Sequence, residues 1–245
     1  MKRSIAKIIT SFLIVLFSSI IIFSLFHIIN WYKANKENRK INNYLHEYIT
    51  VGGKDKYNIN FEEIKKTNSD AIAYIKVPGT KIDYIVVKGE DNDFYLNHNF
   101  NKDKNITGWI FADYKNNFNN EDKNIVIYGH NTIDKSMFGS LKYTLEKSWQ
   151  ENENNHTIIF VTEEGLKKYK VFSTYKVDNE EYYITTDFTS DNEFKKFLDI
   201  VKSRSKYNYN VELNETDHIL TLSTCSNQGK KRVVLHAVEI KDNID

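Results

Sequence analysis

The longest apolar run in the chain is Ile8 to Ile29, which contains no Asp, Glu, Lys or Arg. About 20 helical residues at 1.5 Å each cross a hydrocarbon layer of about 30 Å, so the pattern predicts a membrane helix at 8–30 behind a short N-terminal segment, 1–7. The run exceeds the apolar core of a cleaved signal peptide, about 7–15 residues, and no small-x-small site follows it. Trp31-Tyr32 reads instead as an interfacial aromatic pair, which predicts a retained anchor, and His27 as an interfacial residue near the helix end. Lys2, Arg3 and Lys7 lie on one side, and Lys33, Lys36, Arg39 and Lys40 on the other. The two flanks are equally basic, so charge alone leaves the orientation open.

Beyond the run, Ile41, Tyr44, Leu45 and Tyr48 recur at helical spacing within a polar stretch, 33–50, predicting an amphipathic helix that Gly52-Gly53 ends. Phe61 to Thr67 reads as a second short helix, completing a helical linker region at 31–70. From Ala71 the period changes to that of strands. Ala71 to Val77, Ile82 to Val87, Trp109 to Phe111, Ile125 to Tyr128, Thr157 to Thr162, Leu166 to Val177, Ile219 to Thr224 and Arg232 to Val238 make eight. Pro78-Gly79-Thr80 turns the first pair, and Glu163-Glu164-Gly165 turns the hairpin between the fifth and sixth. Many short strands with few helices predict a mainly β domain at 71–245, closed as a barrel that leaves no free edge. Two helical interruptions are expected. One is Met137 to Tyr143; the other is Asp191 to Ser203, between strands 6 and 7, with Phe194, Phe197, Leu198 and Val201 on one face.

Composition narrows the class. The chain has 245 residues, 40% hydrophobic and 14% aromatic, enough for one generous core plus an appendage. Net charge is +1 and the lysines are interspersed with acids and asparagines, which argues against nucleic acid as a partner. A single cysteine excludes an intramolecular disulfide. There is no H-E-x-x-H, C-x-x-C, phosphate-binding loop or dinucleotide fingerprint, so no metal and no cofactor is expected.

The one cysteine, Cys225, closes the run Thr221-Leu222-Ser223-Thr224-Cys225, and Arg232 opens the next strand. The two sit at the mouths of one loop, where a guanidinium favours the thiolate. A buried structural cysteine and a surface arginine would be the plain alternative. Upstream, Ile125-Val126-Ile127-Tyr128-Gly129-His130-Asn131 delivers an imidazole to a strand end. A thiol titrating near ~8.5 and an imidazole near ~6.5 can supply nucleophile and proton donor at neutral pH. Ser223 shares the strand parity of Cys225, which aims its hydroxyl to the groove, while Thr224 points to the opposite side. Asn131 and Tyr128 complete the candidate substrate contacts. His46, His98, His156, His218 and His236 read as solvated or hydrogen-bonded structural residues, with His98 in a motif-like stretch, Tyr95 to Phe100.

The T-L-S-T-C run, the arginine that follows and the upstream Y-G-H-N together resemble the sortases, and more narrowly class B. The resemblance covers about Ala71 to Ile240, including Val77-Pro78-Gly79-Thr80-Lys81-Ile82-Asp83-Tyr84 and Gly108-Trp109-Ile110-Phe111-Ala112-Asp113-Tyr114. It implies an eight-stranded barrel with N-terminal helices, a cytoplasmic N-terminus and an extracellular catalytic domain on a Gram-positive surface. It also implies a cysteine transpeptidase with Cys225 as nucleophile, His130 as acid and base, and Arg232 as oxyanion donor. The partners would be secreted proteins with a C-terminal N-P-x-T-x signal, cleaved after Thr, and an amine of peptidoglycan or its lipid-linked precursor. The residues alone also fit a membrane-tethered cysteine peptidase that releases product to water, or a non-enzymatic binding module.

Overall fold

The computed structural model describes residues 2–53, 56–118, 122–178, 180–225 and 231–241, without the side chains of 2–4 and 225. One helix, α1 (Lys2–Leu45), carries the apolar run and continues unbroken onto the barrel. The run is long and apolar enough to cross a bilayer, with mean hydropathy 2.7 and none of it buried. The expected membrane helix and the amphipathic helix expected after it are therefore one element. Neither Gly nor Pro interrupts residues 2–45, and the face Ala34, Asn35, Asn38, Ile41 and Leu45 is buried against the barrel.

Gly52-Gly53 does not end that helix. A single 3-10 turn at His46–Tyr48 follows α1, and the glycines belong to a hairpin of β1 (Ile49–Gly52) and β2 (Lys56–Ile59). Gly53 has φ +47°, a conformation suited to a turn. α2 (Phe61–Thr67) starts where Asn60 accepts a hydrogen bond from Glu63 N.

Eight strands close the barrel in the order β10-β8-β7-β3-β4-β5-β6-β9. They are β3 (Ala71–Lys76), β4 (Asp83–Val87), β5 (Phe111–Ala112), β6 (Asn124–His130), β7 (Thr157–Thr162), β8 (Gly165–Asp178), β9 (Ile219–Cys225) and β10 (Lys231–Glu239). β4–β5 and β6–β9 are parallel; the other neighbours are antiparallel. β5 begins at Phe111 rather than Trp109. Gly108 is left-handed, Trp109 N bonds Tyr95 O, and the Trp109 indole reaches Ile85 O, so the chain enters strand register only afterwards. The helix expected at Met137 to Tyr143 is a tight fold-back followed by a 3-10 segment, Leu141–Leu145. Lys135 and Met137 have positive φ, and Gly139 lies so close to the Thr132 carbonyl that a Cβ would not fit, geometry that no helix accommodates.

α3 (Lys147–Gln150) is a single turn; α4 (Asp191–Ser203) lies between the sixth and seventh barrel strands, where the sequence placed it. Ser190 caps α4 by accepting from Glu193 N. Phe194, Phe197, Leu198 and Val201 cover the outside of the sheet, packing with Phe172, Tyr175, Tyr183, Ile219, Val234 and Val238. The barrel interior is a separate apolar cluster to which β9 contributes Leu220 and Leu222. Thus residues 219–224 of β9 are buried on both faces, the outer one beneath α4 and the segment before it.

Candidate active site

β6 and β9 run side by side with Tyr128 beside Ser223, Gly129 beside Thr224 and His130 beside Cys225. Adjacent positions on paired strands share a face, so positions 130 and 225 lie on the same face of the sheet. On the other flank of β9, Val234 faces Ser223. Carried two residues further, this antiparallel register sets Arg232 level with Cys225 and on the same face. The residues linking the two strands, 226–230, and the Cys225 side chain lie outside the described residues.

The imidazole of His130 is buried, and Nε2 lies 2.6 Å from the Leu96 carbonyl. A carbonyl only accepts, so Nε2 carries the hydrogen and Nδ1 is left to exchange a proton. Burial lowers the pKa of His130 below its ordinary value, and the carbonyl partner works in the opposite direction. The net direction favours a neutral ring at pH 7. Arg232 is half-buried, and its Nε has no acceptor among the described residues.

The candidate substrate contacts divide by face. Ser223 is fully buried on the face of Cys225, its hydroxyl 3.0 Å from Tyr183 OH. Thr224 points to the opposite face, where its hydroxyl accepts from Val233 N at 2.9 Å and ties β9 to β10. Tyr128 is buried beside Phe111 and donates to Asp113 Oδ2 at 2.8 Å. Asn131 is exposed at the rim, bridged to Met137.

Four residues outside the sequence-based candidates complete the surroundings. Leu96 supplies a backbone carbonyl, which no side-chain pattern announces. Asp113 accepts from both Tyr128 and Asn92, at 2.8 and 3.0 Å, bracing the loop over β5 and β6; it lies inside the G-W-I-F-A-D-Y stretch. Tyr183 reaches Ser223 from the segment before α4. An open groove of about 550 Å³ is lined by Asn92, Asp113, Tyr114 and Lys115 on one side and by Glu181, Tyr182 and Ile184 to Asp187 on the other; neither His130 nor Arg232 lines it.

The other histidines have structural partners. His98 stacks on Phe94 at 4.0 Å, His46 meets Asp83 and His218 the Asp122 carbonyl. His156 packs between Trp149 and Tyr209, and His236 lies between Tyr175 OH and Thr221 Oγ1. Among the described residues no cluster of His, Cys, Asp or Glu is arranged to hold a metal.

Comparison with known proteins gives a consistent neighbourhood. The Sortase domain family matches residues 75–240. Sortase B of Staphylococcus aureus (strain NCTC 8325 / PS 47) is 38% identical over 185 residues, covering 74% of this chain and 75% of that protein. The crystal structure of Clostridium perfringens sortase B superposes with a TM-score of 0.70 at 38% identity, covering 74% of this chain and 100% of that one. A sortase B crystal structure complexed with triglycine superposes with a TM-score of 0.70 at 36% identity, covering 75% and 86%.

Proposed function

Because the chain belongs to the sortase family of cysteine transpeptidases, and within it to class B, we propose that it cleaves a C-terminal N-P-x-T-x sorting signal after Thr and transfers the new carboxyl end to an amine of peptidoglycan or its precursor. The observation that supports this reading is the β6–β9 register, which pairs His130 with Cys225, together with the β9–β10 register, whose last pair, Ser223 with Val234, leads toward Arg232.

In this mechanism the Cys225 thiolate attacks the carbonyl carbon after Thr, and the carbonyl oxygen becomes an oxyanion. Arg232 meets that oxygen with a planar fork that stays charged whatever the neighbouring pair does. His130, protonated at Nδ1 for this step, gives that proton to the departing amine as the C–N bond breaks, leaving a thioester on Cys225. The incoming amine then attacks the thioester, loses its proton to Nδ1, and releases the thiolate. The Nε2–H bond to Leu96 holds the ring at one angle through both transfers. The triglycine complex of a sortase B supports an oligoglycine amine as the acceptor class. The apolar half of α1 would anchor the enzyme with its N-terminus in the cytoplasm and the barrel outside.

The test is product analysis by mass spectrometry, with the full chain in detergent, an N-P-x-T-x peptide, and triglycine present or absent. Cleavage after Thr with a triglycine adduct is expected. Hydrolysis alone at saturating amine would favour the peptidase reading, and an intact peptide would remove the proposed specificity.

A further inference from the structure

The apolar run and the barrel meet with no spacer between them. Ile28 and Ile29 are exposed, Asn30 and Trp31 are already half-buried, and Ala34 and Asn35 are buried. In an unbroken helix, Ile29 to Ala34 is a rise of about 7.5 Å, close to the depth of one headgroup layer, about 5–7 Å. If α1 crosses a bilayer, the part of the barrel that meets its first docked turn has to lie at the headgroups.

Two loops meet α1 there. Asn105 Nδ2 donates to Ala34 O and to Asn38 Oδ1, both at 3.1 Å, and Asn38 Nδ2 donates to Thr107 Oγ1 at 2.9 Å. From the other loop, Ser136 Oγ donates to Asn35 Oδ1 at 3.2 Å. Each loop also carries an isoleucine that the core does not use. Ile106 is 57% exposed between buried Asn105 and Thr107, and Ile133 is 80% exposed beside buried Thr132. Lys33, Lys36 and Lys104 are exposed at the same level.

We propose that the loops at 101–107 and 131–136 seat the barrel on an anionic lipid surface, with Ile106 and Ile133 entering the headgroup boundary and the three lysines meeting lipid phosphates. Apolar side chains with lysines on the neighbouring turns suit that boundary, where part of the side chain leaves water while the ammonium groups stay hydrated. The seat rests on the reading of α1 as a membrane anchor. It also fixes the height of the site, because the loop at 131–136 begins one residue after His130.

The experiment uses the full chain in nanodiscs of phosphatidylglycerol and phosphatidylcholine. Cys225→Ser removes the native thiol, and a fluorophore is attached through Ile106→Cys, Ile133→Cys, Val51→Cys or Ile20→Cys. Ile20 lies within the apolar run; Val51 is exposed beyond the far end of α1, which rises about 21 Å between residues 31 and 45. Lipids spin-labelled at the headgroup should quench the labels at 106 and 133 and leave that at 51 bright. Lipids labelled deep in the acyl chain should quench the label at 20. Quenching at 20 with labels at 106 and 133 as bright as that at 51 overturns the seat and leaves the anchor standing. A label at 20 untouched by deep spin labels overturns the anchor, and the seat with it.

Discussion

The two faces of β9 are built on different principles. Inward, Leu220 and Leu222 join the apolar barrel interior, where burial requires no particular partner. Outward, Thr221 and Ser223 lie in a layer where each has one. Thr221 donates to Asn124 at 2.6 Å and contacts His236, and Ser223 meets Tyr183. The interior tolerates any side chain of suitable shape and sets the register of the strand. The outer face inherits that register and sets its polar side chains beneath α4 and the segment before it. A change on the inner face should therefore lower stability first, and one on the outer face should lower activity or change pH dependence first.

The sharpest separation is expected at Cys225. Cys225→Ala should abolish cleavage and thioester formation while the unfolding midpoint stays near that of the parent, since few packing atoms are lost. Cys225→Ser should fail as well, for lack of an easily formed anion. Turnover near the parent level in either variant would end the nucleophile assignment. Three residues away on the inner face, Leu222→Ala should cost about 2–5 kcal/mol of stability by leaving a cavity, with kcat of the folded fraction little changed. Denaturant titration with active-site counting would check it; a loss of kcat with unchanged stability would blur the two faces.

Arg232→Lys tests the outer face more finely, because it keeps the charge and removes the planar fork. If Arg232 holds the oxyanion, kcat should fall by at least ~10²-fold, as for removal of one oxyanion donor, with the unfolding midpoint and KM nearly unchanged. If it only raises the thiolate fraction, Lys should restore most of the activity. The rate of Cys225 alkylation against pH separates the two roles, since it reports thiolate without needing the oxyanion site.

The eight barrel strands and α4 were legible in the sequence because each carries its own periodicity; the bounds of β7 and α4 coincide with the expected ones. The candidate cysteine, histidine and arginine stand out in the sequence because each lies in a short run with strand signals around it. The hairpin at 49–59 was not, since its strands are mostly exposed and Gly52-Gly53 serves a helix stop and a turn equally well. Nor was the fold-back at 132–139, where contacts over several residues impose positive φ on Lys135 and Met137. The Leu96 carbonyl beside His130 is a backbone group, and Tyr183 reaches Ser223 across 40 residues. Such pairings arise from closure of the barrel and carry no local signature.

The subtlest test of the two-face picture concerns His236, fully buried on the outer face and 11 residues beyond Cys225. Thr221 gives its hydroxyl hydrogen to Asn124, so His236 Nδ1–H donates to Thr221 Oγ1, and Nε2 accepts from Tyr175 OH at 2.9 Å. Burial, with a smaller push from the Arg204 guanidinium, brings its pKa down to about 3. The folded chain therefore keeps His236 neutral, whereas an unfolded imidazole takes up a proton below about 6.5. The unfolded state binds the extra proton between these values, so this contribution to stability is complete above pH ~6.5 and is lost as pH falls toward 3. The slope approaches about 1.4 kcal/mol per pH unit. His236→Phe should lower stability at pH 7 by leaving its two partners without the ring, by about 1–3 kcal/mol. It should also remove one proton's worth of slope between pH 6 and 4. His130 and His156 are shifted in the same direction and remain in the variant, so some slope should persist. Urea unfolding midpoints of parent and variant across pH 4–8 would measure the difference, and parallel curves would show that His236 does not titrate on unfolding.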